Sequence, residues 1–431
     1  MDDAGWLSGP NGWRYRLGLW AAAALAVLAL VFAIAPAAGT GIAATAALRV
    51  PAGSGTWATS WSASPQAPVP GWGFSAGFDD QTVRDVIDTS AGGDQIRLEL
   101  TNTFGHVPLR VGRVTVAVAG ARGALAGPPF PVTFGGQASV RIPAGAQLLS
   151  DPVVMPVAAQ QELTVSIYLP DRTGPATFHS DAQQVTWISA RGDHASDARG
   201  RSFVAPDGSW YYLSGLIVRS PAVAGTVVAF GDSITDGYQS SIGTNSRWPN
   251  DLARRLDAMP GGPALAVADE GISGNQVLRS SPEFGVSAEA RFTRDALDVP
   301  GVRDIILLEG INDLGFGHGA NVSAAQLIAG YKRLIAMAHA RGLKIFGATI
   351  LPFQGAGYYT LAGEAKREAV NTWIRTSGAF DGVIDFDAVM ADPSDPLRLN
   401  PAYDSGDNLH PNDVGYEAMA SAINLQTLGA S

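Results

Sequence analysis

A chain of 431 residues, 46% hydrophobic and 16% charged, is long enough for two or three domains and has ample apolar material for their cores. Its formal net charge of −10 excludes the clustered Lys/Arg footprint of a nucleic-acid binder and disfavours polyanionic partners by repulsion. With no cysteine, the chain forms no disulfide, no thiolate metal site and no cysteine nucleophile.

The chain opens with a leader. Arg14 and Arg16 precede the apolar stretch Leu17–Ala35, Pro36 ends it, and Ala44-Thr45-Ala46 fits the small-x-small pattern of a signal-peptidase site. Residues 1–50 are therefore read as a signal peptide or a membrane anchor. The apolar stretch lies between the usual length of a signal core and that of a spanning helix, and a buried helix of a soluble domain is the third alternative. Either of the first two readings puts the rest of the chain outside the cytoplasm: secreted, periplasmic, or anchored and facing outward.

From residue 55 to 220 the pattern has period two. Ile96, Leu98 and Leu100 alternate with Arg97, Glu99 and Thr101. Leu163, Val165, Ile167 and Leu169 alternate with Thr164, Ser166 and Tyr168. Such alternation turns one set of side chains to a core and the other to water. Shorter runs at Thr82–Ile87, Val114–Val118, Val132–Phe134 and Ala138–Ile142, separated by Gly/Pro turns, complete the expectation of an all-β sandwich or jelly roll. Trp57, Trp61 and Trp72 in this region are candidates for a glycan-stacking surface. The alternative is that they fill the core.

From residue 225 to 431 the pattern changes. Strands expected at Val227–Phe230, Ala264–Ala268, Asp304–Leu308, Lys344–Thr349 and Val383–Phe386 alternate with helices at Trp248–Leu256, Ala324–Arg341, Glu364–Arg375 and Asp413–Ala422. Alternation of this kind implies an α/β domain with a parallel sheet covered on both faces, whose ligands sit beyond the C-terminal strand ends.

Four segments in those places bear polar chemistry. Gly231-Asp232-Ser233-Ile234-Thr235-Asp236-Gly237 follows the first strand and holds a serine in a tight turn. Taken alone it also fits a helix cap. Gly271-Ile272-Ser273-Gly274-Asn275 follows the second strand, where glycines let backbone N–H groups approach a ligand. Glu309-Gly310-Ile311-Asn312-Asp313 follows the third and offers a side-chain amide, or an Asx turn. Asp407-Asn408-Leu409-His410-Pro411 spaces a carboxylate three residues from a histidine, so that one turn presents both.

Together these segments resemble the SGNH subgroup of the GDSL esterase/lipase family, in the family's order, with GDSITDG, GISGN, GIND and DNLH as the four blocks. The resemblance implies a flavodoxin-like three-layer hydrolase domain, preceded here by the β region as in some exported bacterial members. It implies Ser233 as nucleophile, His410 as general base and Asp407 as its orienting carboxylate. The Ser233 and Gly274 N–H groups, with the Asn312 side chain, would form the oxyanion hole, and neither a metal nor an organic cofactor is called for. One departure is Asp269, where the family often has Asn, which leaves open the hydrogen bonding around Gly271.

The expected activity is hydrolysis of carboxylic esters, short-chain or O-acetyl esters of carbohydrates first, with a small-molecule or polysaccharide substrate. Lysophospholipase, lipase and acyltransferase chemistry use the same triad and remain alternatives, as does glycan binding by the β region. His318 lies in a Gly-rich loop near Asn312 and is a candidate pocket residue. Asp232, Asp236 and Asp313 are read as structural hydrogen bonders. Asp392–Pro396 lacks the spacing of a calcium loop and reads as a turn.

Overall fold

The computed structural model describes residues 55–262, 264–316 and 322–429. The leader and His318 lie outside the described residues.

The alternating β segments form two antiparallel sheets. One orders the strands Thr56–Ser62, Leu213–Ser220, Gly93–Thr101 and Gln147–Leu149, with Val153–Val157 also paired to Gly93–Thr101. The other has six strands: Phe203–Asp207, Thr186–Arg191, Gln81–Asp88, Glu162–Leu169, Arg113–Val118 and Phe130–Val132. Ile96, Leu98 and Leu100 from the first sheet share a buried core with Val83, Leu163, Val165 and Ile167 from the second. Each set points inward because consecutive strand residues face opposite ways. Trp61 is buried edge-on against Trp210, their ring centroids 4.9 Å apart, and Trp72 packs half-buried on the same core. Trp57 lies beneath the Arg97 guanidinium. Two of the three tryptophans therefore pack on or in the sandwich core.

The second half carries a five-stranded parallel sheet: β1 (Gly225–Gly231), β2 (Leu265–Gly271), β3 (Val302–Leu308), β4 (Lys344–Ala348) and β5 (Gly382–Ile384). Its order, β2-β1-β3-β4-β5, is the flavodoxin-like one. Val227–Phe230 and Ile305–Leu308 are fully buried, as continuous apolar runs in a doubly covered sheet must be. Helices α1 (Ser233–Asp236), α2 (Trp248–Asp257), α3 (Ala288–Phe292), α4 (Ile311–Gly315), α5 (Ala324–Ala340), α6 (Leu361–Thr376), α7 (Phe386–Met390) and α8 (Asp413–Ala422) complete the domain. The strand expected over Val383–Phe386 is shorter. Asp385 accepts the Ala388 N–H as an N-cap, and Phe386 opens α7. Among the described residues, no helix is long and apolar enough to cross a membrane.

The sandwich and the α/β half pack as one compact unit. Thr59 donates its N–H to Pro300 O and to Thr226 Oγ1, at 3.0 and 2.9 Å. Ser90 Oγ bridges Val267 O and N, at 2.8 and 2.9 Å. Ser64 Oγ donates to Glu270 Oε2 at 2.6 Å.

Candidate active site

Strand order reverses between β1 and β3, so the chain leaves the sheet in opposite directions there and opens a crevice at the C-terminal ends. Ser233, Gly274 and Asn312 follow β1, β2 and β3 at that edge.

Ser233 begins a single helical turn. Asp232 caps it by accepting the Ile234 N–H at 3.0 Å. The turn requires Gly231: a Cβ there would meet Leu308 O at 2.2 Å and Thr235 Oγ1 at 2.3 Å. The Asp232 carboxyl is pushed up by burial, an effect the Ile234 N–H opposes.

Ser233 Oγ lies 2.8 Å from His410 Nε2, and His410 Nδ1 lies 2.6 Å from Asp407 Oδ2. Because Nδ1 faces a carboxylate, it carries the ring proton, which leaves Nε2 to accept the serine hydroxyl. Asp407 does two jobs. Its Oδ1 accepts the N–H groups of Leu409 and His410, at 2.9 and 2.8 Å, which closes the turn that presents the ring. Burial opposes its charge, but the His410 ring and these two amides outweigh burial and hold its carboxyl below the usual value. Tyr238 packs edge-on against the imidazole at 4.8 Å. Just beyond, Asn412 caps α8.

The loop after β2 supplies the second wall. Gly274 has φ +78°, and a Cβ on it would meet the Phe284 ring at 2.2 Å. Neither the Ser233 nor the Gly274 N–H has a hydrogen-bond acceptor among the described residues. Asn312 donates from Nδ2 to Asn275 O at 2.9 Å, which leaves one amide hydrogen unused, and its Oδ1 accepts from the Tyr358 hydroxyl. Asp313 latches the same loop by accepting the N–H groups of Val277 and Leu278, at 2.7 and 3.1 Å. Asp236 accepts both the N–H and the Oγ–H of Ser273, at 2.9 and 2.8 Å. The Gly271 N–H is taken by Asp269 Oδ1 at 3.0 Å, so the Asp at this position supplies the local bond itself. Burial pushes the Asp269 carboxyl up to about 7.

Arg291 was not singled out by sequence. Fully buried, it donates to Gly231 O (2.7 Å), Asn275 Oδ1 (3.0 Å) and Glu270 O (2.7 Å), lies 3.5 Å from both Glu309 and Asp295, and stacks on Phe230. One guanidinium thus ties together the three strand ends that carry Ser233, Gly274 and Asn312. Its signal was a charge on the face of α3 that otherwise bears the buried Ala288 and Phe292. Burial and the neighbouring Asp232 carboxylate drive the Glu309 carboxyl well up, against the pull of Arg291.

A serine hydrogen-bonded to a histidine, a histidine held by a carboxylate, and two unengaged backbone N–H groups beside them are the parts of an acyl-transfer site. The sequence profile of the GDSL-like lipase/acylhydrolase family matches residues 229–418. The α/β domain belongs to the GDSL-like lipase/acylhydrolase family. The chain is accordingly a carboxylic ester hydrolase. Among solved structures, the chain is similar to a catalytic mutant of an acetylxylan esterase from Geobacillus stearothermophilus, at 21% identity and a TM-score of 0.38 over 49% of this chain and 96% of that one. It is also similar to a lipase/acylhydrolase from Enterococcus faecalis, at 20% identity and a TM-score of 0.37 over 46% of this chain and 92% of that one. A putative lipolytic protein of the G-D-S-L family from Desulfitobacterium hafniense matches at 21% identity and 0.36, over 46% of this chain and 97% of that one. No curated protein matches the chain.

Proposed function

We propose that the GDSL domain hydrolyses short-chain carboxylic esters, O-acetyl groups on carbohydrates among them, through an acyl-enzyme on Ser233, and that it does so outside the cytoplasm. The observation that carries this reading is the line Ser233 Oγ–His410 Nε2 (2.8 Å) and His410 Nδ1–Asp407 Oδ2 (2.6 Å). As Ser233 Oγ attacks the ester carbonyl carbon, its proton passes to Nε2, and Asp407 stabilises the resulting imidazolium. The carbonyl oxygen becomes an oxyanion within reach of the Ser233 and Gly274 N–H groups and the unused Asn312 amide hydrogen. The bond to the alcohol oxygen then breaks, His410 returns the proton to that oxygen, and the acyl group stays on Ser233. Water repeats the sequence and releases the acid.

A short acyl group is favoured by the aromatic wall at this point. Phe284 covers Gly274, stacks on Phe316 at 5.1 Å, and Phe316 meets Tyr358 edge-on at 5.8 Å. The leader with Arg14, Arg16 and the apolar stretch Leu17–Ala35 supports export, and export brings carbohydrate esters within reach. The test is hydrolysis of p-nitrophenyl esters from acetate to palmitate by the wild type and by Ser233→Ala. Activity on acetate that disappears in the variant is the expected result. Preference for palmitate would favour a lipase, and activity retained in Ser233→Ala would overturn the reading.

A further inference from the structure

One side chain of the sandwich, His179, pairs with an acidic residue of the GDSL domain beside the candidate site. His179, on the two-residue strand Phe178–His179, is buried and lies between two oxygens: Ser64 O, 3.0 Å from Nδ1, and Asp236 Oδ1, 3.0 Å from Nε2. Both ring nitrogens face acceptors. A neutral imidazole has only one N–H, so the arrangement is satisfied when the ring is an imidazolium paired with the Asp236 carboxylate. The other oxygen of that carboxylate, Oδ2, holds Ser273 by both its N–H and its hydroxyl, and Ser273 immediately precedes Gly274. Asp236 has little freedom otherwise: its backbone O accepts from Arg247 Nε at 2.9 Å, and Gly271 leaves no room for a Cβ beside its backbone N. Arg247 in turn binds Ala182 O and stacks on Trp210, both from the sandwich. A cavity of about 30 Å³ lies beside His179 and is lined also by Asp88, Arg247 and Asp269.

We infer that His179 of the β-sandwich is a positioning residue for ester hydrolysis, fixing the Asp236 carboxylate that aims the Ser273–Gly274 backbone at the oxyanion. The inference rests on the reading of Ser233 as nucleophile and Gly274 as oxyanion donor. It assigns the accessory domain a part in the chemistry that needs no contact with substrate. A carboxylate fixed at one oxygen can hold Ser273 in one place with the other. Without His179 the carboxylate is held by Ser273 alone and can shift together with it, and a donor misplaced by a fraction of an ångström loses much of its effect on the transition state.

Full-length wild type is compared with His179→Gln, Asp236→Asn, Ser90→Ala and Ser233→Ala. Ser90→Ala removes a bridge between the same two domains but touches neither Asp236 nor Ser273. The readouts are kcat and KM on p-nitrophenyl acetate, the affinity for phenylboronic acid, whose tetrahedral adduct on the serine mimics the oxyanion, and Tm. Positioning predicts that His179→Gln lowers kcat and boronate affinity together by about tenfold to a hundredfold with KM little changed. Asp236→Asn is expected to do the same, and the double variant to cost no more than the worse single one. Ser90→Ala should lower Tm alone. If His179→Gln is folded and keeps wild-type kcat and boronate affinity, the inference is overturned. If it does not fold, Asp236→Asn decides by the same measure. Boronate affinity retained in Ser233→Ala overturns the nucleophile reading and this inference with it. Affinity lost there but unchanged in His179→Gln overturns this inference alone.

Discussion

The Tyr358 hydroxyl donates to the side-chain carbonyl of Asn312 at 3.3 Å. This bond decides which end of the amide is the oxygen, and so directs the NH₂ group to Asn275 O and to the crevice. Burial, with the Asp232 and Asp407 charges nearby, pushes the Tyr358 hydroxyl well up, so it stays a donor throughout the working pH range. Tyr358→Phe removes the bond and little else. The expected outcome is a fall in kcat of about threefold to tenfold with KM nearly unchanged, which corresponds to the loss of one ordinary hydrogen bond. Steady-state kinetics on p-nitrophenyl acetate measures it.

Gly274→Ala faces two obstacles at once. The φ of +78° suits glycine, and the new Cβ would have to displace the Phe284 ring, 2.2 Å away. The expected loss is about 10²–10³ in kcat, the size of a missing oxyanion donor. Smaller accompanying losses are expected for Phe284→Leu, which widens the wall. Its rate on butyrate relative to acetate should rise, and a profile of chain lengths for both variants would show this.

Asp407→Asn preserves the shape of the turn, because an amide oxygen can still accept the Leu409 and His410 N–H groups, but it can fix His410 in the wrong tautomer. Turnover should fall by about 10⁴ with a small change in Tm. The folded-state carboxyl of Asp407 is held below its ordinary value of 3.8, so its contribution to stability is in place above that pH and is lost as pH falls through the lower folded-state value. Melting curves of wild type and variant should therefore converge on the acid side.

His179 works in the opposite sense. Burial disfavours its charge, but the Asp236 carboxylate, the hydrogen bond to it, Ser64 O and the charge of Asp181 outweigh burial and raise the ring from 6.5 to about 9. A group raised on folding contributes stability that is complete below its unfolded value and lost as pH climbs through the folded one. Tm should therefore decline between pH 6.5 and about 9 in the wild type, and His179→Gln should lack that decline. Asp269 faces the same cavity and is raised to about 7, so its own loss is finished earlier, and the difference between wild type and His179→Gln from about pH 8 to 9 reports His179.

Arg291→Met would leave Glu309 buried without its cation and release Gly231 O and Asn275 Oδ1. The expected cost is about 3–5 kcal/mol of stability, the usual consequence of breaking one side of a buried pair. Chemical denaturation measures it directly. Arg291→Met together with Glu309→Leu should recover part of that loss.

What could be read in advance followed from local chemistry. The strands of both halves announced themselves through alternation in Leu163–Leu169 and through the unbroken apolar run Ile305–Leu308. Ser233, Gly274 and Asn312 stand in short blocks after expected strand ends and His410 in one before an expected helix, and the fold sets the first three at the ends of neighbouring strands. Phe386 opens a helix and does not end the strand, because an apolar run does not say where a strand stops. The stop comes from the Asp385 cap, a bond to a residue three positions on. His179 is not legible in the sequence, because its neighbours along the chain do not distinguish it from a core histidine. Its meaning lies in a partner 57 positions away. Arg291 is intermediate: its place on a buried helix face was visible, but its contacts on three separate loops were not.

The hydrogen bonds from Thr59 to Thr226 and Pro300 join residues 167 and 241 positions apart. Closing loops of that length costs entropy before any contact rewards it, and chains dominated by such distant pairings fold slowly. The strand Thr56–Ser62 is among the first described segments to be synthesised, yet its sheet neighbour, Leu213–Ser220, and its seat against Pro300 come much later. The nascent chain therefore passes through a long interval in which this first strand lacks its final tertiary partners.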